Sequence, residues 1–405
     1  MKSVGEAPGR FDVLGGVADY SGALVLQTPI AARTRVEITA TPEGNDFELE
    51  AFGRVVRVDP SRFLGMLDSR IDETALGREI RSLTPESWCW YLLGCLALFV
   101  RAKAWRPAGG LTFRVSSEVP LSSGVSSSAA LEIATLRALA ELASVDFHGL
   151  EIAHLGQRAE NHIVGAPCGL MDQLASAFGV RGRLLPILCR PDKLQEPLAL
   201  PEGAGVFGLA TGVKHSVGDS PYLRARTAAF MAKKLVETRT GRTHAYTSEI
   251  GEIADEVLVP EQMTGADFLA VYGQVDDPLS RIDYQMSYPI RAALRFAVEE
   301  HSRSQSLVAM LRQPGKSPQQ KAGQLGAAMF SSHMAYGELG LGCEAADQIV
   351  DTARKLGPES GVFGTRISGG GSGGTVVVLA TPEGQERLTQ ATGEILSRNA
   401  GTVIL

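Results

Sequence analysis

The stretch Pro120-Leu-Ser-Ser-Gly-Val-Ser-Ser-Ser-Ala129-Ala-Leu-Glu132 has the composition of an anion holder. It is small and rich in hydroxyls, and it runs into a helix-forming segment from Ala129 to Ala143. A helix start leaves N–H groups unpaired and carries a partial positive charge. Ser122, Ser123, Gly124, Val125, Ser126, Ser127 and Ser128 are small enough to let a phosphate reach those donors, so the segment reads as a phosphate cradle. No Gly-Lys-Ser/Thr follows the glycine, so it is not a Walker loop. In isolation such a pattern is more often a plain N-cap.

Two further segments look like backbone that approaches a ligand: Ala7-Pro-Gly-Arg10-Phe-Asp-Val-Leu-Gly-Gly-Val-Ala-Asp19-Tyr20-Ser-Gly22 and Ser368-Gly-Gly-Gly-Ser-Gly-Gly-Thr375. A hairpin turn accounts for two of the five glycines in the second. Packing against the phosphate loop or a substrate accounts for the rest. Phosphoryl transfer needs a cradle, Mg²⁺ ligands, a cation on the moving group and a positioned acceptor hydroxyl. Asp172, in Gly165-Ala-Pro-Cys168-Gly169-Leu-Met-Asp172-Gln173, falls near an expected helix start, where a carboxylate is favoured. An arginine such as Arg10 beside it would keep it ionised and offset charge on the phosphoryl group. Taken alone, Arg10 reads as a surface ion pair and Glu160 as a solvated helix charge.

In order and spacing the three segments resemble the three signature motifs of the GHMP kinases and, within them, the galactokinase branch. That resemblance implies transfer of a phosphoryl group from ATP to the C1 hydroxyl of a sugar, with Mg²⁺. It places the loop from Ser122 to Ser128 on the nucleotide and Ser128 with Glu160 at the metal. The run Gly165 to Gln173 is similar to the galactokinase Pro-Cys-Gly-Ile-Met-Asp-Gln segment, whose aspartate is the base; the gap from Glu160 to Asp172 also fits. An anomeric hydroxyl is acidic enough for a carboxylate to suffice. Arg10 matches the first-motif arginine. Gly16, Val17, Asp19, Tyr20, Cys168, Gly169 and Gly370 take sugar-side positions. Lys214-His215-Ser216 and Pro221-Tyr222-Leu-Arg224-Ala-Arg226 resemble two further galactokinase segments, which makes Tyr222 a sugar contact. Trp88 matches an aromatic near adenine.

One departure bears on the sugar. Galactokinases read Gly-Glu-His-Thr-Asp-Tyr where this chain reads Gly15-Gly16-Val17-Ala18-Asp19-Tyr20. The Glu-His pair lies around the 6-hydroxyl end of galactose. L-Arabinopyranose is galactopyranose without that arm, and a site with no 6-hydroxyl to bind should not keep buried polar groups for it. The same segments, with Thr264 to Tyr288, closely resemble the kinase domain of plant L-arabinokinases. The plant proteins carry a glycosyltransferase-like region that this sequence does not match, so nothing tied to it is carried over. The expected activity is thus an L-arabinose 1-kinase. The alternatives are a galactokinase, or a uronate or heptose kinase of the same branch. A non-catalytic sugar sensor is a third reading, disfavoured because the serine loop, Glu160 and Asp172 are all kept.

These residues need a scaffold. The chain has 405 residues, 44% of them hydrophobic, enough for two globular domains. The net charge of −6 and the lack of a long basic run argue against nucleic acid as a partner. Five cysteines with no Cys-x-x-Cys pair read as reduced thiols of a cytoplasmic protein, a monomer or homodimer. The apolar run Trp88 to Val100 falls short of the ~18 residues that span a bilayer, so no membrane role is expected. Periodicity gives strands at 25–30, 35–40, 111–115, 206–210, 361–367 and 375–379, and a hairpin over 47–58 turning near Phe52-Gly53. Helices are expected over 87–104, 127–143, 150–163, from near Gly169, and over 221–240, 288–301, 319–338 and 345–356. The fold class is α+β with two domains, 1–191 and 192–405, joined by a linker from Asp192 with prolines at 197 and 201. The resemblance implies a ribosomal-protein-S5-like first domain and a ferredoxin-like second one.

Overall fold

A computed structural model describes residues 1–213, 221–251, 259–398 and 403–404. Lys214, His215 and Ser216 lie outside the described residues. Contacts group the chain into two compact units: 1–10, 30–121 and 126–178 in the first; 11–29, 122–125 and 179–405 in the second. The expected domains are continuous stretches, whereas these units interleave. The long strands Lys2–Leu14 and Leu24–Thr41 contribute residues to both.

In the first unit the sheet runs Arg54–Val58, Phe47–Ala51, Gly110–Ser117 and then residues 34–41. Phe47 and Val58 open a two-residue hairpin whose turn, Phe52 (φ 53°) and Gly53 (φ 73°), has both residues left-handed. That is the type I′ geometry whose twist matches paired strands. Alternate residues Val36, Ile38, Phe47, Leu49, Leu111 and Phe113 are buried, the period-2 pattern of a sheet with one covered face. They share a core with residues of the helices Ser87–Lys103 and Ser127–Ala143. The first of these helices is apolar nearly all round because it is interior. Among the described residues, no helix is long and apolar enough to cross a membrane. The helix Glu151–Arg158 passes into a π-helical turn, Ala159–Val164, closed by Gly165 at φ 85°. Such wide turns are common at functional sites, and this one carries Glu160.

The second unit holds four antiparallel strands in the order Val362–Ile367, Thr375–Ala380, Gly205–Ala210, Val403–Ile404. Helices Pro221–Thr240, Ile290–Arg312, Pro318–Glu338 and Glu344–Leu356 separate the first strand in sequence from the second. Helices Pro382–Ala391 and Gly393–Arg398 separate the third from the fourth. A βαββαβ order with chain positions 2-3-1-4 is the ferredoxin-like arrangement. Phe207, Leu209, Val376 and Val378 pack with Met231 and Leu235 in its core.

Several elements differ from expectation. The two strands at 25–30 and 35–40 are one, Leu24–Thr41. The residues from Asp192 are not a bare linker: Asp192–Leu194 and Leu198–Ala199 pair with Arg183–Cys189, and the prolines fall outside the paired residues. The helix expected to end at His301 runs to Arg312, because Leu307, Val308 and Leu311 continue its buried stripe. Two short helices not expected from the sequence, Pro60–Asp68 and Glu73–Arg81, follow Asp59 and Asp72, whose side chains cap Ser61 N and Ala75 N.

Candidate active site

Arg10 and Asp172, distant in sequence, form an ion pair within the first unit. Arg10 donates from Nε at 2.8 Å and its Nη2 lies at 2.7 Å, both on Asp172 Oδ1. The arginine side chain is 3% exposed and the aspartate 23%, so the guanidinium is enclosed while the carboxylate reaches the surface. Asp172 is the second residue of the helix Met171–Phe178, which opens right after Cys168 and Gly169. Asn161 pins that entry: it accepts from Cys168 N at 2.7 Å and donates to Cys168 O at 3.3 Å.

Glu160 is buried in the same unit. Desolvation pushes its carboxyl up to about 7; hydrogen bonds from Ser128, Cys168 and Gln173 pull the other way, and the Asp172 charge adds to the rise. Ser128 thus lies near enough to Glu160 to lower its carboxyl. A hydroxyl and a carboxylate are hard oxygen donors, the kind Mg²⁺ takes beside phosphate oxygens and water, so the pair fits that ion. Gln173 Nε2 bridges two buried carboxylates, reaching Glu160 Oε2 at 2.8 Å and Glu132 Oε2 at 3.0 Å. Glu132, fully enclosed, is raised well above the ordinary range by burial and then by Glu160. Neither Glu132 nor Gln173 was picked out by sequence reasoning. A lone acid amid Ala, Leu and Ile on 127–143 was the available signal.

The helix Ser127–Ala143 starts on the expected residue, but Ser126 does not act as a side-chain cap: it is left-handed (φ 59°, ψ 48°) and its Oγ makes no cap bond. That hydroxyl is buried without a partner among the described residues. The first-turn N–H groups are thus left to something other than this serine. Ser127 and Ser128 are half-buried beside it. Trp88 is also half-buried; it meets Phe52 edge to face at 6.2 Å and donates from Nε1 to Glu86.

In the second unit the first motif, residues 122–125 and the glycine-rich turn meet at one side chain. Ser368 Oγ accepts from Asp12 N at 3.2 Å and donates to Gly124 O at 3.2 Å. Thr375 Oγ1 donates to Ser123 O at 2.7 Å. Left-handed backbone at Gly369, Gly371, Gly373 and Gly374 shapes the turn, and a Cβ on Gly374 would sit 3.0 Å from Ser123 O. Gly374 serves close approach to that loop, whereas a Cβ on Gly371 or Gly373 would strike Leu341 or Val213. Ser122 is exposed and left-handed (φ 56°), Gly124 is left-handed too (φ 71°), and Val125 is buried. A Cβ built on Gly370 would sit 3.6 Å from the Tyr222 ring.

The first motif itself coils as a 3₁₀ turn, Gly16–Ser21. Its amides are held by side chains: Gly15 N by Glu300 at 2.9 Å, Gly16 N by Asp12 at 3.1 Å, Val17 N by Tyr336 at 2.9 Å. Asp19 is 5% exposed and caps Tyr20 N at 2.6 Å. Val17 and Tyr20 are core residues by burial, 2% and 3% exposed. Tyr20 meets Tyr222 edge to face at 5.9 Å, and the Arg226 guanidinium lies 5.2 Å from its ring centre. Arg226 in turn grips Asp277 with two bonds, 2.8 and 3.0 Å. Glu300, Tyr336 and Asp277 carry no local pattern that would have marked them, and Arg226 closes the Pro221–Arg226 segment without having been singled out as a site residue.

Two family models match the two halves of the chain: GHMP kinases N terminal domain over residues 91–180 and GHMP kinases C terminal over 307–394. The chain belongs to the GHMP kinase superfamily. Its fold is the two-domain GHMP kinase fold, and membership supports ATP-dependent phosphotransfer to a sugar hydroxyl. An L-arabinokinase of Arabidopsis thaliana is 29% identical over 93% of this chain. This chain spans 42% of that longer relative. A galactokinase of Streptomyces coelicolor is 29% identical over 96% of this chain and 87% of its own length. Among solved structures, Lactococcus lactis galactokinase complexed with galactose matches with a TM-score of 0.75 over 99% of this chain and 92% of its own, at 20% identity. A mevalonate kinase of Methanococcus jannaschii matches at 0.62, covering 100% of this chain and 97% of its own, at 16% identity.

Proposed function

We propose that the GHMP kinase described here is a sugar 1-kinase of the galactokinase and arabinokinase branch, with Asp172 as its base. The supporting observation is the enclosed arginine, Arg10, bound to one oxygen of a carboxylate whose side chain reaches the surface. In this reading Asp172 takes the proton of the C1 hydroxyl. The C1 oxygen then bonds to the γ-phosphorus of ATP, the bond to the bridging oxygen breaks, and ADP leaves. Arg10 holds the carboxylate through Oδ1, in place to accept the proton. The Ser122–Ser128 backbone and the uncapped start of the helix 127–143 hold phosphate. Ser128 and Glu160 would hold Mg²⁺, which supplies charge neutralisation on the phosphates. Gly16, Val17, Asp19, Tyr20, Cys168, Gly169, Tyr222 and Gly370 are the residues assigned to the sugar. Trp88 stays a candidate for the adenine side. Five cysteines outside any disulfide fit a reducing, cytoplasmic setting.

D-Galactose as acceptor is supported by galactokinase relatives matched over most of their length and by the fold match to a galactokinase bound to galactose. A second reading, L-arabinose, is favoured by one specific observation. At Gly16-Val17 the turn offers no polar side chain for a hydroxymethyl arm, and Val17 is buried. The deciding experiment is kcat/KM with Mg-ATP on L-arabinose, D-galactose and D-glucuronate. A clear preference for either of the first two selects its reading. If ATP and sugar bind in calorimetry but no ADP forms, the protein is a sensor and the kinase proposal is lost.

A further inference from the structure

Tyr336 does more than hold one amide of the first motif. Its hydroxyl accepts from Val17 N at 2.9 Å and donates to Gly369 O at 2.8 Å, so a single oxygen ties the first motif to the glycine-rich turn. The ring is fully buried, edge to face with Phe296 at 5.4 Å, and the Arg366 guanidinium lies 4.9 Å from its centre. Arg366 is itself buried and paired with Asp12 at 2.8 Å, the same carboxylate that holds Gly16 N. A Cβ built on Gly16 would stand 1.8 Å from Tyr336 Oη, 2.7 Å from Cζ and 2.8 Å from Arg366 Nη2. No side chain fits there, and the Gly16 φ of 50° adds a backbone cost for any residue with a Cβ.

We propose that Tyr336 sets sugar specificity at Gly16. Its hydroxyl fills the volume that a polar side chain on residue 16 would use, so the turn offers no side chain to an exocyclic hydroxymethyl group, which favours a pentopyranose as acceptor over a hexose. This rests on the reading that the 16–20 turn faces the sugar. Tyr336 works through Gly16 and Val17 and is a positioning residue, not a group that touches the reacting atoms. A buried polar site that expects a partner rejects a sugar lacking it, whereas an apolar turn of this kind does not penalise its absence.

The test is a double-mutant cycle of Gly16→Glu and Tyr336→Leu, read as kcat/KM on L-arabinose and D-galactose, KM for ATP, and Tm. Leucine removes both Oη and Cζ; phenylalanine would leave Cζ in the way. Gly16→Glu alone should lose about a hundredfold on both sugars and lower Tm, because the side chain has no room. Adding Tyr336→Leu should raise Tm above that of the single variant. It should also lift the galactose-to-arabinose ratio about tenfold above wild type, with KM for ATP within about twofold. A fully active Gly16→Glu enzyme, or a double variant no better than Gly16→Glu in both Tm and galactose turnover, overturns the proposal. Recovery of Tm with an unchanged sugar ratio overturns the specificity claim. A wild type that phosphorylates no sugar removes the kinase reading and the specificity claim together, while the Tm coupling still reads the packing by itself.

Discussion

Asp172→Asn separates the charge of this side chain from its shape. Arg10 reaches Oδ1 from Nε at 2.8 Å and from Nη2 at 2.7 Å, and an amide oxygen in that place can accept from each. Arg10 nevertheless loses its counter-charge where only 3% of its side chain is exposed. Breaking a buried pair outright costs about 3–5 kcal/mol. With the hydrogen bonds kept and the aspartate side 23% exposed, the loss should be about 1–2 kcal/mol, a fall of a few degrees in Tm. An amide cannot take up a proton. A general base contributes about 10²–10⁴ in rate, so kcat should fall by that factor, roughly 3–5 kcal/mol in barrier. KM for ATP should stay within about twofold, since the phosphate loop is untouched. The assay is coupled ADP release across sugar and ATP concentrations, with a melting curve on the same preparation. A kcat within about twofold of wild type, at near-normal Tm, would refute Asp172 as the base.

Gln173→Leu strips the shared donor from two buried carboxylates and should cost about 2–4 kcal/mol by chemical denaturation; it should also raise the Mg²⁺ concentration giving half-maximal rate. An unchanged Mg²⁺ dependence would detach Gln173 from Glu160. Gly374→Ala forces a Cβ to 3.0 Å from Ser123 O at a left-handed φ, so it should cost roughly 1–3 kcal/mol and raise KM for ATP more than KM for sugar; the reverse order would deny that this glycine supports the loop. Burial raises the Asp277 carboxyl, but the Arg226 bonds and charge, with Ser280, hold it below the ordinary range. The folded value being the lower one, the stability it brings is complete above about pH 4 and is lost as pH falls through the folded value. Denaturation from pH 7 to 3 should therefore show Asp277→Asn destabilised by about 3 kcal/mol at neutral pH, with the gap closing below pH 4; a constant gap contradicts this.

Local signals were legible where a segment decides its own structure. The helices Ser127–Ala143 and Pro221–Thr240 begin and end on the expected residues, and Phe52-Gly53 turns the hairpin. Close approach to the loop or a substrate was expected of the glycines of 368–375; Ser368, Gly374 and Thr375 pack on Ser123 and Gly124, while Gly371 and Gly373 pack on Leu341 and Val213. What stayed hidden depends on partners far along the chain. Tyr336 meets Val17 across 319 residues and Glu300 meets Gly15 across 285, and no local periodicity marks either. Tyr20 was read as a sugar contact from its motif. Its burial against Tyr222, Phe230 and Arg226 follows from tertiary packing that the motif does not encode. The short strands after Asp192 were masked by prolines at 197 and 201, which bound them without interrupting the pairing.

Phosphorus NMR of the reaction products bears most directly on the central claim, that this chain moves a phosphoryl group onto the anomeric oxygen of a pyranose. With Mg-ATP and L-arabinose or D-galactose, the account requires a new phosphate ester coupled to the proton on C1, formed one for one with ADP. An ester coupled to any other ring position, or ATP left intact with both sugars, would contradict it.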